Sequence, residues 1–269
     1  MADAPDLSKR IVHRVDGMDR VAVQRDVRYR EDGDAPLLMD VYAPPELPPG
    51  ARLPALLFIH GGPIPAEMPS PRRWGIFESY GALAAASGLV GITFNHRLHA
   101  PEDYARAEGD VRAAVAHVRA HADELRVDSE RIGLWAFSGG GPLVSWALRE
   151  RPAYVRCLLA FYALLDLRHL TPPGAGAAVL EQVRALSPAA QLAAGGADLP
   201  VFVARAGRDG AWINQSIDSF VREALAANVQ LDLVNHAQGQ HAFDAKDDDE
   251  RSREIIARAI AFARAWLAR

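Results

Sequence analysis

Residues 132–143 read "IGLWAFSGGGPL". An apolar run stops at Ser138, three glycines follow, and the chain beyond them suits a helix. Strand, sharp turn and helix in that order predict a parallel crossover unit, with Ser138 at the carboxyl end of a strand buried on both faces. A serine there would cap the helix well. A cap alone does not call for a glycine triplet, whereas a tight turn and a close helix-to-strand approach do. Ligands of open parallel sheets gather at that end of the strands. A helix starting there also aims unpaired N–H groups and its dipole at whatever binds.

Outward from this stretch the same grammar repeats. "LPALLFIH" (53–60), "GLVGITFN" (88–95), "RIGLWAFS" (131–138), "VRCLLAF" (155–161), "LPVFVARAG" (199–207) and "VQLDLVNH" (229–236) are short, apolar and rich in branched residues, as strands covered on both faces are. "VAVQRDVRY" and "LLMDVYAP" alternate and are separated by the turn-type "EDGD", which predicts an antiparallel pair at the start. Helical stripes lie between the strands: Val111, Val115, Val118, Ala122 and Leu125; then Ile213, Ile217, Phe220, Ala224 and Leu225; then Ile256, Ile260, Ala263 and Leu267. Alternating strands and helices predict an α/β fold, a mostly parallel sheet with helices on both faces. No internal repeat is visible. Residues 1–20 read as an N-terminal extension and 21–269 as a single domain. Within it, the Ala-, Gly- and Pro-rich stretch 163–198 is too long for a plain connection and is expected to form a lid-like insertion.

Composition narrows the function. Apolar residues make up 49% of the chain, enough for a large core. A net charge of −4 gives no electrostatic footprint for nucleic acid. Cys157 is the one cysteine, so no internal disulfide forms, and its place in an apolar strand reads as packing. The first residues, "MADAPDLSKRIVHRV", lack the basic start and apolar stretch of a signal peptide, and no window is apolar enough to span a bilayer. A cytoplasmic protein with no membrane partner is expected, and a homo-oligomer is left open.

Two other strand ends carry chemistry. Asp209 follows one in "GRDG", and His241 follows the next in "AQGQHAFD". Here the sequence resembles the α/β-hydrolase fold. "AFSGG" (136–140) is similar to its nucleophile elbow, and the order Ser138, Asp209, His241 is that family's triad order. "FIHGGP" (58–63) resembles the His-Gly-Gly segment of its esterase and lipase branch, and "LMDVYAPP" (38–45) also fits small microbial esterases related to hormone-sensitive lipase and to diene-lactone hydrolases. The resemblance spans residues 21–269.

It implies a serine hydrolase of small to medium carboxylic esters, with Ser138 as nucleophile, His241 as base and Asp209 orienting it. Backbone amides of Gly62 and Gly139, with Gly61 in reserve, would receive the oxyanion, and neither metal nor organic cofactor is required. Two positions depart from the family: Ala136 stands where the elbow begins with glycine, and Pro63, which has no N–H, where many relatives carry a third glycine.

Competing readings remain at several residues. Asp166, in "YALLDL", is a second candidate acid. Asp244 follows His241 too closely to face its ring and reads as a loop anchor or a solvated charge. His236 reads as structural and His60 as a stiffener of the glycine segment. His117 and His121 are one helical turn apart, a spacing that can hold zinc, but no Glu follows the first as in metalloproteases. Arg72, Arg73 and Trp74 could border an entrance or simply start a helix. The acidic run 244–250 suits the N-terminus of the last helix. Another acyl hydrolase (peptidase, amidase or lactonase) and a binding protein that has lost the chemistry are the alternatives.

Overall fold

The computed structural model describes residues 6–32, 35–193 and 199–269. Eight strands form one sheet: β1 (Ala22–Arg30), β2 (Leu37–Ala43), β3 (Leu53–Ile59), β4 (Val90–Phe94), β5 (Val127–Phe137), β6 (Val155–Phe161), β7 (Val201–Ala206) and β8 (Leu231–His236). Their spatial order is β1-β2-β4-β3-β5-β6-β7-β8. β1 pairs antiparallel with β2 and β2 with β4; every other pairing is parallel. All eight expected strands are present, with β5 starting earlier, at Val127.

The helices are α1 (Gly75–Ala86), α2 (Tyr104–Ala120), α3 (Ser145–Glu150), α4 (Ala177–Ala185), α5 (Pro188–Ala193), α6 (Ala211–Ala226), α7 (Phe243–Lys246) and α8 (Glu250–Leu267). Successive strand residues belong to different cores, as period-two geometry requires. Leu57, Ile59, Leu134 and Ala136 pack with Val111 and Val115 of α2 and Ile217 and Phe220 of α6. Leu56, Phe58, Trp135 and Phe137 pack on the opposite face, with Phe77 and Tyr80 of α1 and Ile256 and Ile260 of α8. Burying one such side chain contributes roughly 1.5–3 kcal/mol, so the sheet is fixed from both sides. The helical stripes lie as expected except at two points. Leu225 is 67% exposed. α2 stops at Ala120, and Ala122 and Leu125 reach the core from the turns beyond it.

Chain order reverses between β3 and β5. The path from β3 through α1 to β4 runs one way; α2 then carries it back across β3 to β5. The crevice at such a reversal, beyond the carboxyl ends of the strands, is where ligands of this architecture bind.

Two segments outside the sheet are fastened to it. The N-terminal extension is docked from residue 6 onward; residues 1–5 lie outside the described residues. Gly75 N–H donates to Leu7 O at 2.8 Å, Ile11 N–H to Ser79 Oγ at 3.0 Å, and Val12 N–H to Asp244 O at 2.8 Å. The stretch read as a lid-like insertion is packed on the fold at part of its length, while α4 is exposed. Leu165, Leu186, Ala189 and Leu192 join the core beside α6, and Ala189 N–H donates to Leu165 O. Residues 194–198 of that stretch lie outside the described residues.

Candidate active site

β5 delivers Ser138 in a left-handed conformation, φ 51°, a state costing an L-residue about 1–2 kcal/mol. The backbone then winds into a 3₁₀ turn from Ser138 to Val144, with α3 beginning only at Ser145. Pro142 accounts for the delay. An α-helix would require its N–H to reach Ser138 O, and proline has none. Ser138 O is instead taken by Leu164 N–H at 2.8 Å, which ties the elbow to the segment after β6.

The glycine triplet is explained by contact. A Cβ on Gly139 would lie 1.9 Å from Gly62 O, one on Gly140 2.6 Å from His60 O, and one on Gly141 2.1 Å from Leu164 O. All three acceptors are backbone and cannot swing away. Backbone is thus laid on backbone, with the amide of Gly139 beside the Gly61–Gly62 segment. The amides of Gly61 and Gly62 donate no hydrogen bond among the described residues, and Gly139, in the first turn of its helix, has no partner within it. These are the three N–H groups the sequence singled out.

Below that segment His60 is 2% exposed; its Nδ1 donates to Gly61 O at 2.6 Å. His96 stacks on it with ring centroids 3.6 Å apart, and its Nε2 donates to His60 O at 3.0 Å. Burial holds His60 well below the usual histidine range and His96 down to about 4. Both are therefore neutral supports of the loop.

The loops after β7 and β8 are sewn together: Gly207 N–H donates to His236 O at 2.8 Å and Arg208 N–H to Gly239 O at 2.9 Å. This sets Asp209 facing His241, with Oδ2 2.7 Å from Nδ1. The Asp209 side chain is 5% exposed and that of His241 34%. Asp209 Oδ1 accepts from Gly210 N–H at 2.7 Å. Among the described hydrogen bonds none joins Ser138 Oγ to His241, yet both side chains line one cavity of about 360 Å³, at the small end of ligand sites.

The cavity's walls include Leu7, Trp74, Phe77, Phe137 and Tyr162, with Gly61 and Gly62 at the serine. None of the described residues of 163–193 lines it, whereas Asp6, Leu7 and Lys9 of the docked N-terminal strap do. Ser138, Tyr162 and Ala242, non-glycine residues at φ 51°, 38° and 61°, all border it. Backbone strain of this kind gathers where the surrounding structure over-determines a site. The sequence did not single out Tyr162, Leu7 or Phe77. Tyr162 could have been found, since it directly follows β6; Leu7 arrives through long-range docking that leaves no local signal.

Asp166, the competing acid, is held by Arg168 (Nη2–Oδ2 2.8 Å) and Ser219 (2.7 Å). Burial would raise its carboxyl, but these bonds outweigh it and hold it low. It is bonded away from His241. His236 Nε2 meets Ser252 Oγ at 3.1 Å, a structural tie. His117 and His121 stack on each other, and no cluster of three metal-ligating side chains exists among the described residues. Arg72 is buried against Asp40, while Trp74 borders the cavity. Burial raises the Cys157 thiol to about 12.

Asp244 is fully buried and anchors the His241 loop; it is not solvated. Tyr80 OH donates to its Oδ2 at 2.5 Å and Tyr162 OH to its Oδ1 at 2.8 Å. Burial lifts its carboxyl from 3.8 to about 6, against the lowering effect of those two hydroxyls. From about pH 4 to about pH 6 the folded chain therefore keeps a proton that the unfolded chain has lost. Its contribution to stability is full below that window and falls by on the order of 3 kcal/mol as pH rises through it. Urea denaturation at about pH 4.5 and about pH 7.5 should show this loss in the wild type and not in Asp244→Asn. Equal pH slopes in the two proteins would refute it.

The BD-FAE family model matches residues 39–150, from β2 to the end of α3, which takes in Ser138 and stops before Asp209 and His241. No curated protein sequence matches the chain. The fold is similar to that of a thermophilic esterase from the Planctomycetes species Thermogutta terrifontis (TM-score 0.73, 20% identity, 92% of this chain and 93% of that one). A truncated carbohydrate esterase from gut microbiota is comparably similar (TM-score 0.72, 18% identity, 92% and 97%). So is EstE1, a carboxylesterase cloned from a metagenomic library (TM-score 0.71, 22% identity, 91% and 89%).

Proposed function

We propose that this chain, whose fold is that of the α/β-hydrolases, is a serine esterase of small to medium carboxylic esters. The observation that carries the reading is the 2.7 Å contact between Asp209 and His241, the latter lining a cavity that Ser138 lines too. Similarity in fold to esterases supports it.

In this reading substrate binding brings Ser138 Oγ and His241 Nε2 into hydrogen-bond contact, as catalytic pairs often tighten only in the complex. Asp209 accepts a hydrogen bond from Nδ1–H, which keeps the proton on that nitrogen and leaves Nε2 free to act as base. Oγ attacks the ester carbonyl while its proton passes to Nε2. The new oxyanion lies against the amides of Gly62 and Gly139, with Gly61 adjacent. Collapse expels the alcohol, which takes the proton from His241 and leaves an acyl-enzyme on Ser138. Water, deprotonated by the same nitrogen, then releases the acid.

The experiment is turnover of p-nitrophenyl butyrate set against the corresponding butyryl anilide. The ester is expected to be cleaved and the anilide not. Asp209→Asn should lose about 10⁴-fold, because the imidazole then settles in the wrong tautomer. Asp166→Asn, at a carboxylate bonded elsewhere, should keep most of the rate. No cleavage of any ester, or a loss confined to Asp166→Asn, overturns the proposal.

A further inference from the structure

Lysine occurs twice in this chain, as Lys9 and Lys246, among thirty basic residues. Both line the Ser138 cavity. The arginines are widely paired with carboxylates, as Arg14 with Asp19, Arg112 with Glu150, Arg97 with Asp110 and Arg72 with Asp40. Lys246 makes no hydrogen bond or ion pair among the described residues, and the Lys9 ammonium makes none either, although, after the Ser8 hydrogen bonds, its charge helps hold the nearby Asp6 carboxylate low.

They reach the site from the two ends of the sequence. Lys9 comes on the docked strap, and Lys246 is the last residue of α7. The acids beyond Lys246 are engaged elsewhere: Asp247 by Gln240, Asp248 by Arg253, and Asp249 as the cap of α8. Asp6 also borders the cavity, with its carboxylate accepting from Ser8 N–H at 3.0 Å and Ser8 Oγ at 2.6 Å. The lining thus includes two exposed lysines against one exposed aspartate, in a chain whose net charge is −4. The rest of the lining is mainly apolar, with Leu7, Ile64, Trp74 and Phe77.

We propose that the ester taken by this site carries a carboxylate, set off from the ester bond by an apolar stretch, and that Lys9 and Lys246 hold it. The inference rests on the esterase reading for its chemistry. A lysine ammonium is a compact point charge on a flexible stem, suited to catching an anion at the end of a chain of variable reach. Each half-exposed contact is worth a few-fold in affinity and the two together roughly tenfold. A positive rim also raises the local concentration of an anionic substrate, an effect that salt removes.

Two matched substrate pairs test this. Monomethyl glutarate against methyl pentanoate places the charge on the acyl side. Para-acetoxybenzoate against its methyl ester places it on the alcohol side. In at least one pair the charged ester should be favoured about tenfold in kcat/KM at low salt, and the preference should shrink at high salt. The ratio should collapse towards unity in the Lys9→Gln/Lys246→Gln protein and survive in Lys9→Arg/Lys246→Arg. An undiminished ratio in the glutamine variant, or a preference for the neutral ester in both pairs, overturns the inference.

Calorimetry of monomethyl glutarate and para-acetoxybenzoate binding to Ser138→Ala, with and without the glutamine changes, separates the two failures. Lysine-dependent binding without turnover of any ester means that the esterase reading is wrong and the anion site stands. Turnover of neutral esters without lysine-dependent binding means the reverse.

Discussion

Replacing Ser138 by alanine is expected to lower kcat on p-nitrophenyl butyrate by about 10⁶-fold, the size of loss seen when a nucleophile is removed from such a unit. Labelling by a fluorophosphonate should vanish with it. The magnitude reflects the division of labour. In the proposed mechanism His241 and Asp209 serve to move one proton, and with Ser138 gone there is no hydroxyl to give it. What remains is the cavity and the glycine amides, which together hold a residual acceleration of about 10³–10⁴ over water. The folded state should not suffer, because alanine removes one hydroxyl that makes no hydrogen bond among the described residues, and the left-handed backbone at φ 51° is already tolerated there. Labelling that persists in Ser138→Ala would place the nucleophile elsewhere and undo the mechanism.

Gly139→Ala is expected to be nearly as damaging by a different route. The added methyl would lie 1.9 Å from Gly62 O, a backbone atom that can retreat only if the whole Gly61–Gly62 segment moves. That movement displaces two amides meant for the oxyanion, and losing one such donor costs about 10²–10³ in kcat. Overpacking adds about 1–3 kcal/mol of destabilisation. Gly176→Ala is the control: no atom lies within 4 Å of its added Cβ, and both rate and stability should stay near wild type. The pairing of kcat with a thermal melt is decisive. A folded Gly139→Ala protein with normal turnover would mean that these amides do not serve the reaction.

Much of this arrangement was legible in the sequence because the candidate residues sit at strand ends, and strand ends are marked locally. The apolar runs before Ser138, Asp209 and His241 each stop at a polar or glycine-containing turn, and the sheet then gathers those turns on one edge. What could not be read there depends on contacts distant in sequence. Nothing near Leu7 or Lys9 announces that their segment will lie across α1 and accept a hydrogen bond from Gly75. The stretch 163–198 looked like a lid because it is long and small-sided. Leu165, Leu186, Ala189 and Leu192, however, are enough to fasten its described part to the core beside α6.

For Asp244 the sequence leaves a loop anchor and a solvated charge both open, because the partners that make it an anchor, Tyr80 and Tyr162, lie far away along the chain. The late onset of α3 was visible in principle, since Pro142 stands four residues after Ser138, but it became meaningful only when Leu164 was seen to take the vacant carbonyl.

The strap across α1 means that two jobs are borne by separable pieces of polypeptide. Bond cleavage is assigned to loops welded to the sheet, where almost any exchange is punished. Part of the cavity lining comes from a leading segment anchored by the buried Ile11 and Met18 and by hydrogen bonds at Leu7, Ile11 and Val12, while the Asp6 and Lys9 side chains are exposed. A lineage could therefore retune what it admits by editing residues 6–9, while the reacting groups and the scaffold beneath them are inherited intact.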